Sequence, residues 1–291
     1  MREEWTQYFR DPGLHDLEVL HAQFVTHRFS RHSHDYFVIG YVENGVQAYT
    51  YRGARHLTPA GQIFFVNPSE VHTGEAATPG GYIYRTMYPS VELMKQVPLD
   101  VTGRAIIPVF KEAVVNDPDA AAALSRFHWA LAQRESPLTI QSLLFSVLAH
   151  LITRYTDPRL SIRPLGRERK AVVQGREYIE EHCARSISLS ELSRTVGLSP
   201  FHFARAFEKE IGLPPHAYLE AVRIRKAREL LDRGESIVEA ALRLGYSDQS
   251  HFTNRFKRAL GITPGQYIRQ RRILQDESPG STRYPEIRSG A

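Results

Sequence analysis

Four short polar side chains stand close together near the C-terminus: Gln249, Ser250, His251 and Asn254. Such groups match the hydrogen-bond patterns that base edges present in a DNA major groove. Phosphates are instead neutralised mainly by Lys and Arg. At about 100° per residue, a helix here puts Phe252 and Phe256 on one face. Ser250, Asn254 and Lys257 then lie opposite, flanked by His251 and Thr253, with Gln249 at the tip. An earlier string, 197–218, places Phe201 and Arg205 opposite Phe203 and Phe207, with Ala204 beside them. Arg205 can grip guanine O6 and N7 with two N–H groups, and Phe201 and Ala204 can touch a thymine methyl.

A second group lies near the N-terminus. His32, His34 and His72 have donor atoms for a metal or a polar ligand. On an extended strand His34, Tyr36, Val38 and Gly40 share one face. Glu75 follows His72, and Arg85 alternates with Ile83 and Met87, which points its guanidinium inward. A buried guanidinium needs an anion, either Glu75 or the carboxylate of a ligand. His34, Tyr36, His72, Glu75 and Arg85 are therefore the candidate ligand-binding residues.

The elements that must hold these groups differ between the two halves. FVIGYVENG (37–45), VQAYTYRG (46–53), GQIFFVNPSEVH (61–72) and YIYRTMY (82–88) are rich in β-branched and aromatic residues. Gly, Pro and Asn punctuate them, as in short antiparallel strands. Asn44-Gly45 tolerates positive φ and is expected to form a hairpin turn. From about 118, DPDAAAALSRFHWALAQ and PLTIQSLLFSVLAHLITRY read as two helices, the second starting at Pro137. Its broad apolar stripe must be buried on the barrel or on a second subunit. The stretch 156–171 holds two prolines, a glycine and many arginines and is the expected linker.

The C-terminal helical part repeats itself. Leu189, Glu191, Val196 and Gly197 match Ile237, Glu239, Leu244 and Gly245 at an offset of 48. Phe203, Phe207, Gly212, Pro215 and Tyr218 match Phe252, Phe256, Gly261, Pro264 and Tyr267 at 49, so one residue is gained after the glycine. Each copy reads as a helix, a turn at the glycine, and a second helix whose N-cap, Ser199 or Ser247, is also a candidate DNA contact. One such hairpin with a solvated polar face is unremarkable. Two copies joined by the single helix 217–234 are spaced to meet successive major grooves. Arg223, Arg225, Lys226 and Arg228 on that connector are either solvent charges or phosphate contacts.

Charge follows the same division. Residues 1–160 hold 14 Lys+Arg and 16 Asp+Glu, whereas residues 161–291 hold 23 and 16. A basic half beside a nearly neutral one suggests that only the former meets a polyanion. The single Cys183 allows no internal disulfide and fits a cytoplasmic location. No apolar run is long enough for a membrane span, and the N-terminus has no secretory signal pattern.

The string GYSDQSHFTNRFKRALGITPGQY (245–267) closely resembles the AraC/XylS family of transcription regulators, and the resemblance covers about 175–272. It implies an all-α domain with two helix–turn–helix units. It places DNA contacts at Phe201, Ala204 and Arg205, and at Gln249, Ser250, His251 and Asn254. HSHDYFVIGYVENG (32–45) and LTPAGQIFFVNPSEVHTGE (57–75) resemble the family's cupin-type sensing domain. Metal-binding cupins place a Glu four or five residues after the second His. Val38 and Ile39 stand there, so no metal or other cofactor is assigned.

The expected fold is α+β in two domains. Residues 1–155 form a cupin-like β-barrel with a helical dimerisation segment. Residues 172–272 form an all-α DNA-binding domain, and a polar tail spans 273–291. The expected function is a non-enzymatic DNA-binding regulator, an activator more readily than a repressor. Its partners are double-stranded DNA, a small effector that can bear a carboxylate, a second copy of the chain, and RNA polymerase. Two other readings stay open. A cupin-type metalloenzyme with an accessory DNA domain lacks both the carboxylate and a nucleophile constellation. A constitutive DNA-bending protein would bind DNA whatever metabolite is present.

Overall fold

The computed structural model describes residues 3–156 and 168–269. The expected linker falls mostly, and the expected tail wholly, outside them. By internal contacts the chain forms two units. One is Met1–Tyr178 with Ile187–Ala217, and the other is Ile179–Ser186 with Tyr218–Ala291. The first helix–turn–helix falls in the unit that contains the sheet.

Nine strands are present among the described residues: β1 (Trp5–Asp11), β2 (Leu17–Phe24), β3 (Phe29–His32), β4 (Val38–Tyr51), β5 (Ala54–Pro59), β6 (Ile63–Val66), β7 (His72–Ala76), β8 (Tyr82–Tyr88) and β9 (Val114–Val115). The main path runs β1-β2-β8-β4-β6-β9, while β7 pairs with β3 and β4 and β5 pairs with β4. The path leaves open edges, so the expected closed barrel is corrected to an open, bent sheet. Ala22, Val38, Val42, Tyr49, Tyr51, Phe64, Val66, Tyr82 and Tyr84 pack together as its core.

The bend comes from β4. The sequence predicts two strands with a turn at Asn44-Gly45, but one strand of 14 residues runs through both. It pairs with β8 up to Gly45↔Tyr82 and with β5 from Val46↔Pro59. Gly45 has φ +76°, and a Cβ there would lie 2.1 Å from the Gly81 carbonyl oxygen. Only glycine admits that close approach at positive φ. The Asn-Gly signal therefore marks an irregularity inside a strand, with the register shift at Val42/Asn44, and not a hairpin.

Three helices complete the N-terminal region. α1 (Val91–Thr102) starts at a Ser90 cap whose hydroxyl accepts from the Leu93 amide at 3.2 Å. α2 (Pro118–Ala132) and α3 (Pro137–Tyr155) begin at Asp117 and Ser136 caps, each with proline in the first turn. The apolar stripe of α3 is buried within the chain: Leu138, Leu144, Leu148 and Leu151 are all fully enclosed. Burying one such side chain contributes about 1.5–3 kcal/mol.

The remaining helices are α4 (Arg169–His182), α5 (Leu189–Thr195), α6 (Pro200–Ile211), α7 (Pro215–Asp232), α8 (Ile237–Arg243) and α9 (Gln249–Leu260). The pairs α5–α6 and α8–α9 are the two repeated units. The connector α7 has 18 residues, a length of about 27 Å.

Candidate functional site

The better-exposed of the two candidate recognition helices is α9. Phe252 and Phe256 are fully buried against Ile224, Ala227, Leu231, Ala240, Leu244 and Tyr246. That anchoring face fixes the rotation of the helix. Gln249, Ser250 and Asn254 are therefore exposed on the other side, with His251 and Thr253 half-buried at its margins. Tyr246 in the turn donates to Glu220 at 3.0 Å and holds the turn to α7. Gly245 has φ +73°, and a Cβ there would lie 2.2 Å from the Ala184 carbonyl oxygen, so this turn requires glycine.

The expected N-cap at Ser247 is corrected by one residue. Asp248 caps α9, its carboxylate accepting from the His251 amide at 2.7 Å. The residue gained after Gly245 carries the chain one position further before the helix starts. Ser247 instead bonds Asp248 and approaches the His251 ring at 3.3 Å. Ser247, Gln249, Ser250 and Asn254 still form one exposed patch.

The candidate helix of the first unit, α6, differs. Ser199 caps α6 as expected, accepting from the His202 amide at 3.3 Å. Phe201 is only 6% exposed, so its assignment to a thymine methyl is corrected for this conformation. The cause is that α6 packs against α1 and α3. Burial raises the carboxyl of Asp100 on α1, although the hydrogen bond it accepts from Gln96 at 2.6 Å opposes the shift. Gln141 of α3 accepts from the Leu189 and Ser190 amides at 2.9 and 3.3 Å, at the start of α5. Ala204 and Arg205 stay half-exposed, and the Arg205 guanidinium lies 5.5 Å from the Phe201 ring centroid.

On α7 the basic residues divide. Arg223 is buried and donates to the Cys183 and Arg185 carbonyls at 2.7 and 3.0 Å, so it is an internal brace and not a phosphate contact. Lys226 reaches the Glu180 carbonyl at 2.8 Å. Arg225 and Arg228 are exposed, Arg228 lying against Tyr267.

A cleft of about 70 Å³, open to solvent, lies on the inner face of the sheet. His34 and His72 line it, together with His32, Tyr49, Phe64, Tyr84 and Tyr88. Tyr36 does not reach it but stacks on His34, 4.2 Å between ring centroids. Burial, reinforced by His72 and His32, lowers His34 to about 4, and burial also lowers His72. The three histidines offer one ring nitrogen each within 4.8 Å of one another, an arrangement that could hold a metal ion.

Arg85 and Glu75 do not join that pocket. Arg85 bonds Glu43 at 2.6 Å and lines a separate cavity with His21, His128 and Leu131. Glu75 pairs with Arg28 and Arg55 at 3.5 and 3.2 Å. The inward face of β8 is Tyr84 and Tyr88, the alternate face to Arg85. Alternation alone does not choose between them, because Met87 is also fully buried. Glu43 is held to about 2: burial works against ionisation, but hydrogen bonds from His21 and Arg85 prevail. Of the pocket residues not predicted, Tyr49, Tyr84 and Tyr88 carried a signal as period-two aromatics on β4 and β8.

Two family profiles match: an AraC-like ligand binding domain over residues 14–148 and a helix-turn-helix domain over 192–270. A Bacillus subtilis HTH-type transcriptional regulator, YbfI, is 31% identical over 253 residues, covering 86% of this chain and 90% of that one. The HTH-type transcriptional activator RhaS of an Enterobacter species is 25% identical, covering 90% of this chain and 95% of its own. Among solved structures, the C-terminal domain of AraT, a response regulator from Geobacillus stearothermophilus, is 32% identical over 37% of this chain and 88% of that one, with a TM-score of 0.34.

Proposed function

This chain belongs to the AraC family of transcription regulators, and from that premise we propose how it reads DNA and what it answers to. It binds DNA through its helix–turn–helix region and takes a small-molecule effector in its N-terminal domain. The α9 face is the principal reader of base edges. The observation that carries this is the anchored rotation of α9. Two fully buried phenylalanines force Gln249, Ser250 and Asn254 outward together. Their neutral amide and hydroxyl groups suit base edges. Arg205 is the specific contact of the first reader, and the half-buried His251 supports the second from its margin.

The effector pocket is the aromatic cavity bearing His34 and His72. Aromatic walls with a few convergent polar groups are typical of small-molecule sites. The chain acts as an activator, as a homodimer, in the cytoplasm and without catalysis. RNA polymerase is the partner an activator requires.

Genome-wide binding-site mapping with the full chain tests the reading, followed by affinity measurements on the recovered site. Asn254→Ala should cost about 1–3 kcal/mol on that site and relax base choice at one position. Equal affinity for specific and random DNA, before and after substitution, would overturn the assigned readout.

A further inference from the structure

The outer face of the sheet carries a polar row that strand register assembles. Gln7 of β1 pairs with His21 of β2, His21 with Arg85 of β8, and Arg85 with Tyr41 of β4. Residues directly opposite in antiparallel strands share a face, so these side chains stand in one line. The helix α2 roofs the row. Its His128 and Leu131 line the same cleft as Gln7, His21 and Arg85. That cleft has a volume of about 300 Å³ and opens to solvent. Small-molecule sites range upward from about 300 Å³.

Among the described residues, two arginines and no acid line the cleft: Arg85 and Arg134. Arg85 donates to Glu43 through Nε at 2.6 Å, and its terminal N–H groups make no hydrogen bond among the described residues. Arg134 is exposed in the turn between α2 and α3, at φ +51°. Its amide donates to the Leu131 carbonyl at 3.0 Å, which fixes the turn that places it. Its guanidinium has no ion-pair partner among the described residues. His128 is only 4% exposed, and its Nε2 is buried without a hydrogen-bond partner. Burial, with Arg85 and His21 close by, lowers His128 to about 3, so the ring is neutral. The positive charge of the cleft therefore rests with the arginines. A guanidinium fork matches the two oxygens of a carboxylate.

The rest of the wall is apolar. Phe9 and Leu131 border the cleft and also border a second one of about 480 Å³, which continues over Leu14 and Ile140. Asp11 and Glu135 stand on the wall of that second cleft and disfavour an anion there. A charged head is therefore directed to Arg85 and Arg134, and an apolar body to Phe9 and Leu131. We propose that the outer cleft between α2 and strands β1, β2 and β8 binds an amphipathic organic carboxylate. Arg85 and Arg134 meet its carboxylate, and Phe9 and Leu131 pack on its hydrocarbon body. The site lies on the opposite face of the sheet from the aromatic cleft of His34 and His72. It rests on neither that cleft nor the DNA reading, so each can fail separately.

The experiment titrates the purified full chain with hydrocinnamate, followed by ligand-observed nuclear magnetic resonance. Hydrocinnamide removes the charge from this probe, and acetate removes its body. Hydrocinnamate should bind in the low millimolar range or tighter, as expected for a ligand of about 11 non-hydrogen atoms. The amide and acetate should each bind at least about tenfold more weakly. Arg85→Gln and Arg134→Gln should each abolish the preference for acid over amide, a change that a general loss of structure does not mimic. Circular dichroism confirms that each variant folds. Arg134→Gln carries the test if Arg85→Gln does not fold, because Arg134 is exposed. His34→Gln, in the aromatic cleft, should leave the affinity at the wild-type value. No binding of hydrocinnamate, or equal affinity for acid and amide in the wild type, would overturn the site. So would a loss seen only in His34→Gln, which would put the probe in the aromatic cleft.

Discussion

Glu43 carries more of the outer sheet face than its sequence position suggests. It receives hydrogen bonds from His21 at 2.9 Å, Arg85 at 2.6 Å and the Tyr41 hydroxyl at 3.1 Å. Its carboxyl is held to about 2, below the ordinary value of 4.5. A depressed carboxylate stabilises the fold above its unfolded pKa and loses that contribution as pH falls through the folded one. Denaturant unfolding followed between pH 5 and pH 2 should therefore show stability falling with acid in the wild type. In Glu43→Gln the fall should be shallower across the same window. The residue types of the site were legible in the sequence. Which of them face one another was not: the sequence offers Arg85 either Glu75 or a ligand carboxylate, and its partner is Glu43 on the adjacent strand β4. Cross-strand register is a property of the paired backbone, and a one-residue difference moves a side chain to the other face.

At the level of elements, the caps and the turns account for the reader geometry. The cap of α9 is Asp248, so Asp248→Ala should lower the thermal midpoint more than Ser247→Ala. The reverse order in a melting experiment would reinstate the cap that the sequence suggests. Gly245→Ala should cost more than about 1 kcal/mol, since it combines positive φ with a backbone clash. In the first unit, Gln141 supplies the acceptor for two amides at the start of α5. Its removal leaves the buried Leu189 amide unpaired, a cost of about 1–3 kcal/mol. Gln141→Ala should accordingly speed amide exchange at Leu189 and Ser190. Unchanged protection there would show that α3 does not brace α5. The helices α2 and α3 were legible from their periodicity and proline starts. The helix α1 was not, because Pro98 interrupts its pattern. The strands β1 and β5 were missed because their exposed positions dilute the apolar alternation.

At the scale of the whole molecule, basic charge gathers in the C-terminal half. DNA affinity should fall linearly on a log–log plot against salt, by about 0.9 per phosphate neutralised. Arg225→Ala on the exposed side of α7 should make that slope shallower if the residue meets a phosphate, while Arg223→Ala should act through stability. An identical slope for Arg225→Ala would assign it to solvent. The two repeated helical hairpins, the strand-rich first third and the polar face opposite Phe252 and Phe256 were determined by the sequence alone. Periodicity, turn residues and duplication are local, and local rules suffice to read them. The tertiary structure alone decided the unbroken β4, the pocket face of β8, and the burial of Phe201 and Arg223. Each depends on residues distant in sequence approaching in space, and no spacing along the chain specifies such an approach.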